Sequence, residues 1–431
     1  MKISAKQGIF DKLVKRADLF TANDLGSSAY MHSILIDVSA EDSTVRFTAE
    51  NDISAIEFFA DENIDIQESG KILIDSIRLR TVLGVILSDE RVTIETKGER
   101  FVEITGGSTN MHVPITLIED DKALLPKVQP AAKTGITLKA EDFRNGFLTG
   151  VVAFDSKGQR PSLNSVHISI VPVEGKAKNN ESPKIRFLSF NGSATAFATV
   201  NTIAVENPEF ITLVEPSQLF AAMDYVSQGN SVILAEGKGD KAGTQLHLTI
   251  LAESKEGDTQ VLYHLRLNTL AGGHAEFPAP AIFEKTKQIF AGATSSLKVN
   301  HAELLRLFRS AERIASLNHS GRGKDVDVNL TKKDIHIVVT GETTFEDIIS
   351  LQEWDGGEDS FRFRWGLYGN ALETYPGDDD LHIGIIRNDD RIVALALVND
   401  PDAKFNGKFF PENYLAIIPT ANIEDGAIIR R

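Results

Sequence analysis

Leu297-Lys298-Val299-Asn300 runs straight into residues 301–316, HAELLRLFRSAERIAS. The first four residues read as a short strand. The rest place Leu304, Phe308, Ala311 and Ala315 at helical spacing, which predicts an amphipathic helix with one buried face. The same reading recurs twice upstream. Ile3-Ser4-Ala5-Lys6 precedes residues 8–20, GIFDKLVKRADLF, with Phe10, Leu13, Ala17 and Phe20 on one face. Ile136-Thr137-Leu138-Lys139 precedes residues 141–154, EDFRNGFLTGVVAF, with Phe143, Phe147, Val151 and Phe154. A strand–helix unit that occurs three times makes internal repetition the first thing to test.

Each copy continues in the same order. Two β-branched or aromatic runs follow the helix: SILIDV with TVRFTA, SVHISIV with KIRFLSF, and DVDVNL with DIHIVVT. A second strand–helix pair comes next: KILIDSIRLRTVLGVIL from Lys71, FITLVEPSQLFAAMDYV from Phe210, and FRFRWGLYGNALETY from Phe361. A β-hairpin closes each copy: RVTIE with RFVEIT, SVILA with LHLTIL, and LHIGII with RIVALALV. From Ile72 to Val92 the interval is 20 residues, from Ile211 to Val232 it is 21, and from Phe361 to Leu381 it is 20.

The expected organisation is therefore α+β, with three tandem domains of two helices packed on antiparallel sheets. Their bounds are 1–122, 134–277 and 295–431. Insertions fall in polar hairpin tips, Glu174–Pro183 and Asn399–Glu412, where loops tolerate them. The linkers are Glu119–Thr134 and Phe277–Ser296. Prolines in FPAPAIFEK predict an extended crossover in the second rather than a helix.

Composition excludes several classes. No apolar run is long enough for a transmembrane helix, and the N-terminus lacks the apolar core of a signal peptide. The chain has no cysteine, so neither a disulfide framework nor a thiolate metal site is available. A cytoplasmic protein is expected. The net charge of −16 opposes a nucleic-acid coat, yet a basic lining inside an acidic exterior would give the same total.

Three such domains in a row resemble the β subunit clamp of bacterial DNA polymerase III over nearly the whole chain. The local matches keep the family's order. Arg160-Pro161-Ser162-Leu163-Asn164 resembles its Arg-x-x-Leu-Asn stretch, and Phe190-Asn191-Gly192 stands where it carries Thr-Asp-Gly. Phe277-Pro278 matches its crossover into domain three, and Tyr414-Leu415-Ala416-Ile417-Ile418-Pro419 resembles its C-terminal strand. There are departures: Ser193-Ala194-Thr195 replaces the usual His-Arg-Leu, Ala279-Pro280-Ala281-Ile282 replaces Asp-Tyr-Arg-Arg, and the chain runs past Pro419 to Arg431. These mark a distant member, with a partner motif that can differ.

The resemblance implies a non-enzymatic processivity factor: a head-to-tail homodimer forming a six-domain ring around duplex DNA, without sequence preference and without a cofactor. It implies a DNA polymerase and a clamp loader as partners, and no membrane. Basic residues on the polar sides of the helices would line the pore. They are Lys12, Lys15, Arg16, Arg78, Arg80, Arg144, Arg306, Arg309 and Arg313. A partner-peptide cleft between domains two and three would draw on Leu163, Phe190, Gly192, Pro278, Ile282, Ala416 and Ile418. The plainer account of the first set is a solvated helix face, and of the second a set of core residues.

Signals for chemistry are thin. Asp378-Asp379-Asp380 after Pro376-Gly377 reads as a charged turn rather than a metal cluster, because consecutive side chains diverge. Gly237–Gly243 lacks the Gly-Lys-Ser/Thr pattern of a phosphate loop and reads as a hairpin tip. Arg322-Gly323-Lys324 reads as an exposed loop. The rivals to a clamp are a structural or adaptor protein of the same fold, such as a phage component, and an enzyme with a dispersed polar site.

Overall fold

The computed structural model describes residues 1–431 other than 23–26, 61–62, 117–134, 155–160, 172–182, 239–243, 254–258, 271–276, 318–324, 378–379, 390, 401–404, 406–409, 412 and 421–431. The elements fall into three series of identical order. The first is β1 (Lys2–Lys6), α1 (Gln7–Asp18), β2 (Ser33–Ser39), β3 (Thr44–Glu50), β4 (Ser54–Phe59), β5 (Asp65–Glu68), β6 (Gly70–Asp75), α2 (Ser76–Leu83), β7 (Arg91–Lys97), β8 (Phe101–Gly106) and β9 (Thr109–Pro114). The second is β10 (Ile136–Lys139), α3 (Ala140–Gly150), β11 (Val166–Val171), β12 (Lys184–Phe190), β13 (Thr195–Asn201), β14 (Ala204–Val205), β15 (Ile211–Val214), α4 (Pro216–Val226), β16 (Ser231–Lys238), β17 (Thr244–Glu253) and β18 (Thr259–Asn268). A separate helix, α5 (Ala279–Phe290), comes next. The third series is β19 (Ala293–Asn300), α6 (His301–Leu317), β20 (Asp325–Leu330), β21 (Asp334–Val339), β22 (Phe345–Ser350), β23 (Glu353–Trp354), β24 (Asp359–Arg364), α7 (Trp365–Glu373), β25 (Asp380–Asn388), β26 (Arg391–Val398) and β27 (Tyr414–Pro419).

Pairing repeats as faithfully as order does. The first strand of each series lies between its fifth and seventh strands, as β1 lies between β5 and β7. The second strand lies between the third and the sixth, as β2 lies between β3 and β6. Ile36, Ile168 and Val328 are equivalent, and they oppose Ile72, Thr212 and Phe361. Thr212, rather than the Ile211 read from sequence, is thus the true counterpart. The interval to Val92, Val232 and Leu381 then becomes the same in all three copies.

Two compact units result, and they do not follow the repeats. The first holds Met1–Glu141, Ile203–Pro208 and Ser217–Ala271; the second holds Asp142–Thr202, Glu209–Pro216 and Gly272–Arg431. The cause is strand pairing between repeats. In the first unit β18 joins β4, fusing parts of repeats one and two into a nine-stranded sheet, β14-β10-β16-β17-β18-β4-β3-β2-β6. In the second unit β27 joins β13, giving β15-β11-β12-β13-β27-β26-β25-β19-β23. The remaining sheets are β5-β1-β7-β8-β9 and β22-β21-β20-β24. None of these fourth and last strands except β27 is evident in the sequence pattern above.

The helix faces read from sequence are buried, except that Phe154 at the end of the second is half-buried. Phe10, Leu13, Ala17 and Phe20 lie in the core of the first unit, and Leu304, Phe308, Ala311 and Ala315 in that of the second. Phe143 and Phe147 are equally buried, and Phe143 meets Phe187 of β12 edge-on at 5.6 Å. The close approach of α3 to β12 requires Gly150, where an added Cβ would stand 2.5 Å from that of Phe187.

One expectation fails. The crossover after Phe277 is helical, not extended. Pro278 is the N-cap of α5 and Pro280 sits in its first turn, where a missing N–H costs nothing and the fixed φ suits a helix. Ile282, Thr286 and Phe290 then bury one face at helical spacing. The linker at 119–134 and residues 322–324 lie outside the described residues, as do most of both expected insertion loops.

Candidate nucleic-acid and partner interfaces

All nine basic residues proposed from sequence lie on α1, α2, α3 or α6, and all but Arg16 are exposed. Many are not free of acid. Lys15 Nζ lies 2.6 Å from the Asp11 carboxylate one turn earlier, and Arg80 forms an ion pair with Asp18. Arg306 stands 3.9 Å from Asp347 of β22, and Arg309 Nε donates to Glu373 of α7 at 3.2 Å. Arg16 is held in place: it donates to Gln228 at 3.3 Å, and its backbone carbonyl accepts from the Tyr225 hydroxyl at 2.7 Å.

The two helices of all three repeats together carry nine Lys or Arg and eight Asp or Glu. These helices are therefore nearly neutral, and the acid that makes the chain −16 lies elsewhere. Exposed ion pairs contribute only about 0–1 kcal/mol, so a phosphate can displace the carboxylate at low cost.

The seven residues of the expected peptide cleft all lie in the second unit. Thr195 opposes Ile417, which brings the turn between β12 and β13 beside the end of β27. In that turn Asn191 Oδ1 accepts from the Ala194 N–H at 2.8 Å, and Gly192 adopts φ +96°, which explains the glycine. Repeat one uses the same device, with Asn51 Oδ1 accepting from the Ser54 N–H at 2.8 Å. Leu163, in a 3₁₀ turn, and Phe190 are half-buried, while Gly192 and Pro278 are exposed. Ile282, Ala416 and Ile418 are buried, at 5, 0 and 2% exposure, so these three offer little surface to a ligand.

Sequence reading missed the outer cover of this sheet. Phe197 of β13 meets Phe283 of α5 at 5.5 Å and Phe410 at 5.9 Å; Phe283 and Phe410 meet edge-on at 5.4 Å. The signal was present in Phe283 and Phe290, spaced for one side of a helix, but the prolines before them obscured it.

The first unit carries a different cluster at its inter-repeat seam. His247 opposes Arg266 and Thr249 opposes His264 across β17 and β18. Arg266 forms a buried ion pair with Glu50 of β3, and His264 faces Glu57 of β4. Gly237 makes room for the His247 ring, since an added Cβ would stand 2.3 Å from Nε2. Burial, then Arg266, lowers the His247 pKa; burial, then His247, lowers that of His264. Both imidazoles are thus neutral in the fold and take up protons on unfolding. Their contribution is full above the ordinary histidine value of about 6.5 and is lost as pH falls through the lower folded values. Urea midpoints should fall between pH 7.5 and 5, and less steeply for His247→Asn; parallel profiles would remove His247 from this role.

Asp380 begins β25, accepts from Gln352 at 2.7 Å and pairs with Lys298 at 3.0 Å, which together hold its carboxyl below the usual range. Asp378, Asp379 and the tip of the Gly237–Gly243 hairpin lie outside the described residues. Among the described residues no group of three His, Asp or Glu is placed to hold a metal ion. No helix among them is long and apolar enough to cross a membrane.

No family model matches the chain, and no curated protein matches its sequence. Solved structures do. The chain is similar to the sliding clamp (DNA polymerase III subunit beta) of Bartonella birtlesii bound to griselimycin, with TM-score 0.73, 13% identity and coverage of 98% of this chain and 100% of that one. It is similar to the Bacillus subtilis DNA polymerase sliding clamp, with TM-score 0.71, 14% identity and coverage of 98 and 99%. The beta subunit of Streptococcus pyogenes DNA polymerase gives TM-score 0.72, 13% identity and coverage of 98 and 100%. The fold is that of the three-domain sliding clamps. It is the bacterial DNA polymerase III β-subunit version, end to end, at a sequence identity that shows the fold alone.

Proposed function

We propose that this chain is a non-enzymatic DNA sliding clamp, two copies of which close head to tail into a six-domain ring around duplex DNA. One observation carries the reading: the chain leaves unpaired the two strands that its own symmetry says should pair. The fourth strands of the first two repeats, β4 and β13, pair with the last strands of the next repeat, β18 and β27. The fourth strand of repeat three, β22, and the last strand of repeat one, β9, are sheet edges among the described residues. A second copy supplies both partners at once, and the heterologous contact closes. Exposed edges are otherwise an aggregation hazard.

The solution mass tests this. Two chains of 47.2 kDa are expected in one particle at micromolar concentration. A strict monomer there would favour the second reading, a clamp-fold adaptor that does not encircle DNA. That reading draws support from the near-neutral helices, which attract phosphate weakly.

Partner proteins, in this reading a polymerase and a loader, dock through an extended peptide whose anchors meet Leu163 and Phe190. Leu163→Asp with Phe190→Asp should weaken polymerase-peptide binding at least tenfold, since each places a charge against an apolar anchor. Dimer mass should not change. Truncation within β27 is no substitute test, because Leu415, Ala416 and Ile417 are core residues.

A further inference from the structure

Ser169, Arg186 and Thr199 stand directly opposite one another across β11, β12 and β13. Their side chains therefore leave the same face of the sheet. It is the face that α5 covers, because Phe197, two residues before Thr199, touches Phe283 and Phe410. The Arg186 guanidinium lies 4.0 Å from the Phe283 ring centre and 5.5 Å from that of Phe197. Burial lowers its pKa to about 10, so it stays charged at neutral pH.

The row is unfinished. Arg186 Nε and Thr199 Oγ1 are both buried, and among the described residues neither has a hydrogen-bond partner. Among the described residues no carboxylate pairs with Arg186. Buried cations and hydroxyls are ordinarily satisfied, and an orphan donor forfeits its hydration without return. Two orphan donors on directly opposed residues are the groups that an oxyanion would satisfy.

We propose that Arg186, Thr199 and Ser169 form a carboxylate-binding subsite for an acidic partner peptide. The guanidinium takes the carboxylate, the hydroxyls donate to it, and the Phe283 and Phe410 rings receive a neighbouring apolar side chain. Lys287, 5.0 Å from the Phe283 ring centre, adds positive charge at the rim. The subsite rests on the partner-docking reading above, because Phe190 lies on the same strand and, at an even spacing from Arg186, on the same face. At about 3.3 Å per residue the two are roughly 13 Å apart, so the acidic residue should fall about four positions from the peptide's anchor. A phosphate is disfavoured: a dianion against three phenyl rings would find one guanidinium for two charges.

A random peptide library displayed on phage, selected in parallel on the full-length chain and on R186M, tests this. The parent should enrich Asp or Glu at a fixed offset of about four residues from an apolar anchor. The best peptide, labelled for fluorescence anisotropy, should bind R186M about tenfold more weakly or worse, as expected for loss of a charged hydrogen bond. Its Glu→Gln version should bind the parent as weakly and lose nothing further on R186M. T199V, which leaves the charge in place, should weaken the acidic peptide and not the Gln version. Methionine fills the space of the guanidinium stem, and a thermal melt confirms that R186M is folded. Enrichment of apolar anchors with no acidic position overturns the subsite while leaving the cleft intact. Enrichment of nothing on the parent overturns both. Competition by a short DNA duplex that R186M abolishes would assign the row to phosphate and overturn the proposal.

Discussion

The double variant M111C/F345C should form covalent dimers on mild oxidation, and nearly all of the protein should convert. The register behind this comes from the chain's own seams. Ile56 opposes Leu265 where β4 meets β18, and Ala196 opposes Ala416 where β13 meets β27. Equivalent positions follow from the neighbouring ladders. Ile337 opposes Asp347 as Phe47 opposes Phe58, and Met111 opposes Ile104 as Leu265 opposes Leu248. In the proposed dimer Phe345 of one copy therefore faces Met111 of the next. Directly opposed residues have Cα atoms about 4.5–5.5 Å apart, inside the range a disulfide spans. The natural chain has no cysteine, so no background competes. Each single variant should stay monomeric on a denaturing gel. Variants shifted by one position point their side chains to opposite faces and should cross-link poorly. Equal cross-linking at every register would mean collision rather than a built interface.

The second large effect concerns the α6 stripe. Replacing Arg306, Arg309 and Arg313 together by Ala should lower DNA retention and flatten its salt dependence. Every phosphate that goes unneutralised takes roughly 0.9 off the salt slope, which at about 50 mM salt is roughly tenfold in affinity. The drop should be smaller than three free cations would give, because Arg306 and Arg309 already have Asp347 and Glu373 as neighbours. Glu373→Gln should act in the opposite sense by releasing Arg309. Folding should survive, since the buried face of Leu304, Leu307, Phe308 and Ala311 is untouched. Retention equal to the parent's would remove α6 from the lining.

Periodicity made the frame legible. The spacing of Phe10, Leu13 and Ala17, and of Leu304, Phe308 and Ala311, gave the helices their faces, because one stripe of each is wholly buried. The strands that join repeats were not legible. In β9, Thr109–Pro114, and β22, Phe345–Ser350, both at sheet edges, most positions alternate only between half-buried and exposed, so no apolar run marks them. Helix α5 was hidden because proline carries opposite meanings at a helix start and in a helix interior. Charge was the hardest to read. Asp347 and Glu373 meet the α6 arginines from distant parts of the chain, so a stripe that looks basic in one helix is partly balanced by others. The cleft set divided for a similar reason: Ala416 and Ile418 match the family's strand by order, yet order does not separate a groove wall from a core.

The most direct test of encirclement uses the same cysteine pair. M111C/F345C is assembled by concentration in the presence of nicked circular DNA, oxidised, and then washed in denaturant and high salt. A ring predicts protein that stays with the circle through the wash and leaves when a restriction enzyme cuts it, because only topology then holds the two together. Loss from the intact circle under denaturant, or equal retention before and after cutting, would contradict a clamp that encloses DNA.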